Sequence, residues 1–450
     1  MSGSSLDSEL QLVADRIVAQ AKKGEQIEAY VSRGQETEVR VYEGNVEHFV
    51  SAQSQGINVR VISNGRTGTS YAGTLDESAL AEVLAEAREN AELGSVDEWA
   101  GLAEPDGVAV VEQELWNEKL ESYPTARKIE LTKELERLTL GIDPRVRIDS
   151  ADYSDASIES AFATTKGIRV SGRENGCYTS VSTLADDNGE TQTGWGFAVG
   201  KYPDEFDLSK AARDGVERAT RLLGAVKPAT KRTTVVLDPF VTASFLSIIG
   251  STLNGEAVSK GRSIFANRLG EAVASPVFTL IDDPTDSRAY SATDIDGEGL
   301  AARRNVLMQD GVLQMFIHSS YSARRAQTVS TGNAIRGSGT PGVGCLALQV
   351  GLGTKSQQEL IADIDDGVLI QSVQGIHSGV NAISGDFSTG ASGLMIRNGA
   401  TAEPVREFTI ASTLQRMLLD IVAVGADIDW LPMSSVGVSL VINDITMSGV

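Results

Sequence analysis

Cysteine, histidine and proline are all scarce in this chain of 450 residues, which holds two cysteines, three histidines and 11 prolines. Cys177 and Cys345 cannot build a disulfide framework, and no CxxC is present. Basic runs are missing as well. The net charge is −22, and a chain this acidic repels phosphate backbones, whose binding depends on cationic contacts and counterion release. Direct binding to DNA or RNA is therefore not expected. No uncharged apolar stretch approaches the ~18 residues that a membrane span needs; the richest, around Phe240 to Leu253, is too short. The opening Met1–Leu10 has neither a basic segment nor an apolar segment of the signal-peptide kind. A cytoplasmic, reducing location without a membrane partner is the expectation.

What is present is ordinary globular material, with 41% apolar and 22% charged residues. The length predicts two or three domains with a sizeable core. Forty-five glycines exceed the usual roughly 7% share and point to strands, bulges and tight turns. Leu6, Leu10, Val13, Ile17 and Ala21 recur at helical spacing and predict a helix over 6–23. Alternating segments at 28–32, 37–42 and 57–62 predict strands, with turns at Glu43-Gly44-Asn45 and Ser63-Asn64-Gly65. A helix follows over 76–93, with Asp76 as N-cap. A second pass has strands at 165–171, 177–183 and 194–200 and a helix at 208–223, and the stretch from Gly94 to Pro124 is a long connection. These passes predict an N-terminal α+β domain over 1–225, an antiparallel sheet with covering helices.

Composition shifts near Gly224-Ala-Val-Lys-Pro228. Thr233–Asp238 reads as a strand, and Asp238-Pro239 starts a helix over 239–253, carboxylate at the N-cap and proline at N1. That helix is apolar all round, the pattern of a buried element. From 275 the chain is strand-rich. Residues 331–400 hold 14 glycines and only eight charged residues, a composition of buried backbone and close approach rather than solvated loop. A mainly-β domain over 226–450 is expected, so the fold class is α+β.

No familiar catalytic motif survives inspection. None of His48, His318 and His377 is followed by glutamate, so HExxH is absent, as are the P-loop, the dinucleotide fingerprint and the GxSxG elbow. His48 and His318 sit in strand-like or amphipathic surroundings and read as structural. The unusual segment is Gly375–Gly393, dense in glycine, where His377, Asn381, Asp386 and Ser388 could line a pocket. The alternative is a turn-and-bulge region whose polar groups satisfy backbone.

At this point several blocks in order resemble the TldD/TldE (PmbA) family of metallopeptidases over nearly the whole chain. They are Gly56–Gly65, Leu269–Pro276, Asp294-Ile-Asp-Gly-Glu-Gly299, Arg304–Leu313, Ser320-Tyr-Ser-Ala-Arg324, Ile376–Gly393, Ile396-Arg-Asn-Gly399, Pro404-Val405 and Val424–Ile428. The resemblance implies two arms. The TldD arm carries HExxxH on a helix and a distant cysteine, a set that holds zinc, leaves one position for water and supplies a glutamate base. Counting back from Ala274-Ser275-Pro276 lays that helix on Leu246–Ser251, with Leu246 and Ser251 at the histidine places and Ser247 at the glutamate place. Beyond Pro432 the chain runs straight to Gly437–Ile442, and no cysteine follows Cys345. Leucine cannot ligate zinc, so the metal site of this chain is expected to be degenerate.

The resemblance thus implies a TldE/PmbA-type subunit with no cofactor of its own. Its partner would be a TldD-type subunit carrying the zinc, and the two would enclose a chamber where unfolded peptides are cleaved or trimmed. The segment with His377, Asn381, Asp386 and Ser388 is the candidate lining. The older family label, modulator of DNA gyrase, fits only an indirect role at this charge. Two alternatives stay open: a self-sufficient hydrolase using His377, Asp386 and a serine or a metal at His318 and His377, and a non-catalytic peptide-binding homodimer.

Overall fold

The computed structural model describes residues 9–337 and 339–450. Its first half is built on β1 (Glu25–Tyr42), β2 (Asn45–Ser63), β3 (Arg66–Ala72), β4 (Val146–Thr164), β5 (Arg169–Asp187) and β6 (Glu190–Gly200). These form one sheet in the order β3-β2-β1-β4-β5-β6, antiparallel throughout. The helices are α1 (Glu9–Val18), α2 (Glu77–Leu93), the single turn α3 (Glu118–Glu121), α4 (Thr125–Leu140) and α5 (Leu208–Thr220). Of the helix expected over 6–23, residues 6–8 lie outside the described residues.

Alternation fixes which face is covered. Ile27, Ala29, Val31, Val39 and Val41 of β1 and Ala151, Tyr153, Ala161 and Ala163 of β4 are buried. They share one face because residues two apart point the same way. That face packs on α1 and α2 at one end of the long strands and on α4 at the other. Both asparagine- or glutamate-glycine turns form as expected. Glu43 and Gly44 have φ of 51° and 71°, and Asn64 and Gly65 have 52° and 72°; two left-handed residues match the twist of the strands they join.

Several boundaries differ from the sequence reading. The segments 28–32 and 37–42 are one strand, because Arg33–Glu36 stay paired to β2 on one side and β4 on the other whatever their polarity. Likewise 177–183 and the end of 165–171 belong to β5, and 165–168 is a turn. Asp76 occupies the N-cap position of α2 but makes no cap bond; its carboxylate accepts from Thr74 Oγ1 at 2.8 Å. β4 and α4 stand where no element was expected. With them the two passes show the same order, helix, three strands, helix, and the third strand of each carries a glycine under its helix. A Cβ on Gly68 would lie 2.1 Å from Ala91 N of α2, and one on Gly196 would lie 1.9 Å from Ala211 O of α5.

The second half begins with β7 (Lys231–Leu237), followed by α6 (Pro239–Thr252). β7 pairs in parallel with Asp366–Gln374 and antiparallel with Leu440–Ser448. Asp386–Arg397 and Ala400–Thr413 extend the sheet from 366–374, and Ala400–Thr413 also pairs with Leu440–Ser448. That last pairing closes the sheet into a barrel-like ring, with Ile421–Val424 appended. The chain is therefore α+β, an antiparallel helix-covered sheet followed by a mainly-β part. Among the described residues no helix is long and apolar enough to cross a membrane.

The halves meet on the uncovered, even-numbered face of the first sheet. Glu28 of β1, 1% exposed, pairs with Arg60 of β2 and with Arg336 of the second half at 2.9 Å. The Arg336 guanidinium also lies 4.9 Å from the Tyr30 ring and 4.8 Å from the Phe162 ring. Burial alone would raise the Glu28 carboxyl, but Arg60 and Arg336 outweigh it and hold it below the usual carboxylate range. Removing Arg336 from this buried cluster is costly, since Glu28 loses one of its two counter-charges and the space between the halves is left unfilled. Arg336→Ala is expected to destabilise the chain by about 3 kcal/mol in urea unfolding at pH 7. A lowered folded-state pKa is a stabilisation present above the unfolded carboxyl value and lost as pH falls through the folded one. The difference between wild type and variant should therefore shrink in acid; a variant within about 0.5 kcal/mol of wild type at pH 7 would show that the cluster does not hold the halves.

Candidate functional site

The helix on which the resemblance places metal ligands, α6, starts as its sequence dictates. Asp238 caps it, accepting from Phe240 N at 3.2 Å, and pairs with Arg218 of α5 at 2.9 Å. Burial nonetheless pushes the Asp238 carboxyl up, with Arg218 opposing. Phe240 leaves the core to stack on Phe197 and to meet Trp195 of β6, with ring centroids 6.0 and 5.3 Å away.

Along α6 the three candidate positions are not brought together. Leu246 is fully buried in the main core of the second half, beside Phe245 and Ile249. Ser247 and Ser251 lie one turn apart on the exposed face. Their hydroxyls turn back on the helix: Ser247 Oγ donates to Ala243 O at 3.1 Å and sits 2.9 Å from Ser435 Oγ, and Ser251 Oγ donates to Ile248 O at 2.6 Å. Gly250 is where α6 touches its neighbour, since a Cβ there would lie 2.7 Å from Leu348 Cδ1 and 3.1 Å from Cys345 Sγ. Burial, and then Asp282, keep the Cys345 thiol far above its ordinary value, so it is a protonated packing group. A hydrocarbon, two hydroxyls and a neutral thiol do not fit a zinc ion.

The glycine-rich segment holds its four candidates on the outside. His377 lies on the one-turn helix Ile376–Gly379, and His377, Asn381, Asp386 and Ser388 are all exposed. Asn381 Oδ1 accepts from the backbone N–H of Ile383 and Ser384 at 2.9 and 3.2 Å, and Asp386 accepts from Ser384 Oγ at 2.6 Å. These are bonds within a turn, and they do not tie His377 to Asp386. The glycines have a packing cause. A Cβ on Gly379 would lie 2.0 Å from Ser388 O, and Gly385, at φ 87°, faces the Gln415 amide.

His318 is buried, as a structural histidine should be. Its Nδ1 is 3.1 Å from Ser322 Oγ, its ring lies on Gly255, where a Cβ would come within 2.0 Å of Cε1, and burial lowers its pKa. His377 is exposed on a separate turn. His48 stands on the β2 arm opposite Arg40.

Three buried acids had no assigned role. Asp282 accepts from Leu346 N, Ala347 N and Asn333 Nδ2, and burial raises it to about 6. Asp296 accepts from the N–H of Glu298, Leu300 and Ala334, and burial with the Glu298 charge raises it to about 7. Glu298 accepts from Ser320 N and Oγ at 2.8 and 2.6 Å. Each carboxylate fastens a loop to the core. For Asp296 and Glu298 the signal in the sequence was the acid-glycine alternation of 294–299, and Asp282 had none. Among the described residues no three His, Cys, Asp or Glu side chains gather as a metal group.

Restoring the ligand types alone should therefore fail. The variant carrying Leu246→His, Ser247→Glu and Ser251→His is expected to bind no zinc by elemental analysis. It should also unfold more easily by about 2–4 kcal/mol, because a polar ring replaces a core leucine. Stoichiometric zinc in that variant would contradict this account of α6.

Comparison with known proteins places these features. Three family models match in succession: PmbA/TldA metallopeptidase domain 1 at residues 27–91, the central domain at 118–223 and the C-terminal domain at 230–449. The chain is similar to metalloprotease MJ0996 of Methanocaldococcus jannaschii, 25% identical over 90% of this chain and 91% of that one. It is similar to metalloprotease PmbA of Escherichia coli O157:H7, 26% identical over 90% and 89%. Its fold is like that of TldE from Thermococcus kodakarensis, with TM-score 0.91 at 22% identity over 97% of this chain and all of that one. A Thermotoga maritima structure described as a modulator of a DNA gyrase gives TM-score 0.89 at 25% identity, with the same coverage.

Proposed function

The chain belongs to the PmbA/TldA metallopeptidase family, and from that premise we propose that it is a TldE/PmbA-type subunit of a zinc peptidase rather than the subunit that holds the zinc. The zinc, its activated water and the glutamate base belong in this reading to a TldD-type partner, and this chain shapes the chamber that receives unfolded peptides. What carries the reading is α6. Its candidate ligand positions hold a core leucine and two serines whose hydroxyls bond their own helix. A catalytic zinc site needs three protein ligands converging on one point with a fourth position open. A helix whose Leu246 side faces the core cannot supply that geometry by rotating a side chain.

The four polar residues of the 375–393 turn remain the proposed chamber lining, and their exposure leaves them free to meet a peptide. The net charge of −22 favours peptides over nucleic acid as the bound polymer. Cytoplasmic location goes with the same reading.

Native mass spectrometry of the chain purified from its own cells, with zinc counted in each species, tests this proposal. A one-to-one complex with a TldD-type chain is expected, with one zinc that stays with that chain on dissociation. A homodimer carrying zinc would overturn the reading, and a zinc-free homodimer without a partner would replace it with a peptide-binding role. In the complex, His377→Ala should alter peptide turnover without moving the melting temperature, because the ring is exposed.

A further inference from the structure

β5 is longer than the strand that covers it. β4 pairs with it from Arg169 onward, but β6 reaches only as far as Cys177, opposite Gly200. One edge of β5 before Cys177 therefore has no strand beside it among the described residues. At Asn175 that edge is closed by the connection expected over 94–124. Asn175 N donates to Leu115 O at 2.9 Å, and its side-chain amide exchanges bonds of 2.8 and 3.0 Å with the Asn117 backbone. Backbone groups two residues apart in a strand point the same way. The N–H and C=O of Ser171 and Arg173 thus face where Asn175 N–H faces, and no described group bonds them.

The connection then diverges from β5, and a cavity of 780 Å³ opens there and runs on over the bare face of the sheet, with Ile158, Ser160 and Phe162 of β4 and Tyr30 of β1 on its floor. Val110, Glu112 and Gln113 line it from the connection, Ser171 to Glu174 from β5, and Thr293 to Gly297 from the second half. Gln113 Nε2 anchors the connection to Pro284 O and Thr293 O at 3.1 and 3.0 Å. The main-chain groups of Ala109 to Glu112 have no hydrogen-bond partner among the described residues. Two stretches of unpaired backbone thus flank one space. An extended segment between them would pair on both sides, the geometry of strand addition.

Acids gather in one part of the cavity and Arg336 stands in another; Arg169 and Arg173, which also line it, pair with Asp15 and Glu118. Near Glu174 lie Glu112 and Asp294, and Asp294 is hydrogen-bonded to Gln113. Partial withdrawal from water, with the Asp294 charge, holds the Glu174 carboxyl above the ordinary range against the pull of Lys201. At the other end is Arg336, paired with Glu28 and lying over Phe162, the β4 residue opposite Val170. The open stretch Val170–Glu174 is about 14 Å long at ~3.4 Å per residue, room for about four residues of strand.

We propose that this groove binds a short extended peptide by main-chain pairing, antiparallel to β5, with the peptide's free amino terminus at Glu112, Glu174 and Asp294 and its carboxyl end toward Arg336. The groove lies apart from α6 and from the 375–393 turn, and it gives this chain a hold on peptides that needs no metal. It deepens the peptide-handling role proposed above, but its test reads binding to the full chain alone, so the peptidase reading can fail without it.

Isothermal titration of the purified full chain with Ala-Ser-Ala-Ser-Ala bearing a free amino terminus should give saturable binding. Acetylating that terminus, or methylating alternate peptide amides, should each weaken binding at least about tenfold, ~1.4 kcal/mol. Ser171→Pro removes only the outward N–H and costs no bond to β4, so it should lower affinity about tenfold with an unchanged melting curve. Glu174→Gln should weaken the free-amine peptide and leave the acetylated one unchanged. Absence of saturable binding, or binding indifferent to both amide methylation and Ser171→Pro, would overturn the proposal. Equal binding of free and acetylated peptides would overturn the orientation. Should Ser171→Pro fold poorly, the methylated peptides carry the same test without touching the protein.

Discussion

A single carboxylate, Glu28, fixes how the two halves of this molecule sit together. It lies on the face of the first sheet that the helices leave bare, and taking it out of water alone would be unfavourable by several kcal/mol. Arg60, on the neighbouring strand, supplies one counter-charge from within the same sheet. The second comes from Arg336, 308 residues away in sequence, whose guanidinium also covers Tyr30 and Phe162 and donates to Gly297 O at 2.7 Å. An oily patch would tolerate sliding of one half over the other. A buried charge with two planar partners does not, because a small displacement strands all three. Around this point the other cross-contacts fall into place: Arg324 donates to the carbonyls of Trp99, Leu102 and Gly101, and Phe240 stacks on β6.

The sheet that presents Glu28 is made twice over. Each helix-strand-strand-strand-helix pass covers its own part of one face, and the two join along β1 and β4. The join is rich in small residues, Ala29 against Ala163 and Val31 against Ala161, so the backbones pair while the helices above still meet the sheet. The other face is thereby left flat enough to receive the second half. Where the covering strand β6 stops short, the same arrangement produces a groove instead of a contact.

Much of this was legible in the sequence wherever the signal is local. Asn64-Gly65 and Glu43-Gly44 read as hairpin turns because few residues adopt two successive left-handed conformations. Asp238-Pro239 read as a helix start, and the capping bond is there. β4 was not legible: Val146–Thr164 scatters Asp, Ser and Ala through the segment without a clean alternation, and it is a strand because it is paired along both edges. α4 was hidden by its polarity; even its buried positions include Lys128, Thr132 and Glu136. The Glu28–Arg336 contact left no trace at all, since nothing in either segment announces a partner so distant in the chain.

The glycine-rich turn shows where a composition argument stops. Its density of glycine invited a reading of close approach to a ligand, yet Gly379 and Gly385 are each accounted for by a neighbour inside the protein, a backbone carbonyl and the Gln415 amide. Their loss would act through folding, so glycine substitutions there cannot distinguish a lining role from a packing one. Any functional role in the turn therefore has to reside in its exposed side chains. The same logic applies to α6, where Gly250 makes room for Cys345 and Leu348. Both segments keep the glycines that packing demands. Neither presents side chains converging on a point, and for a chain of a peptidase family that directs attention away from chemistry and toward how the peptide is held.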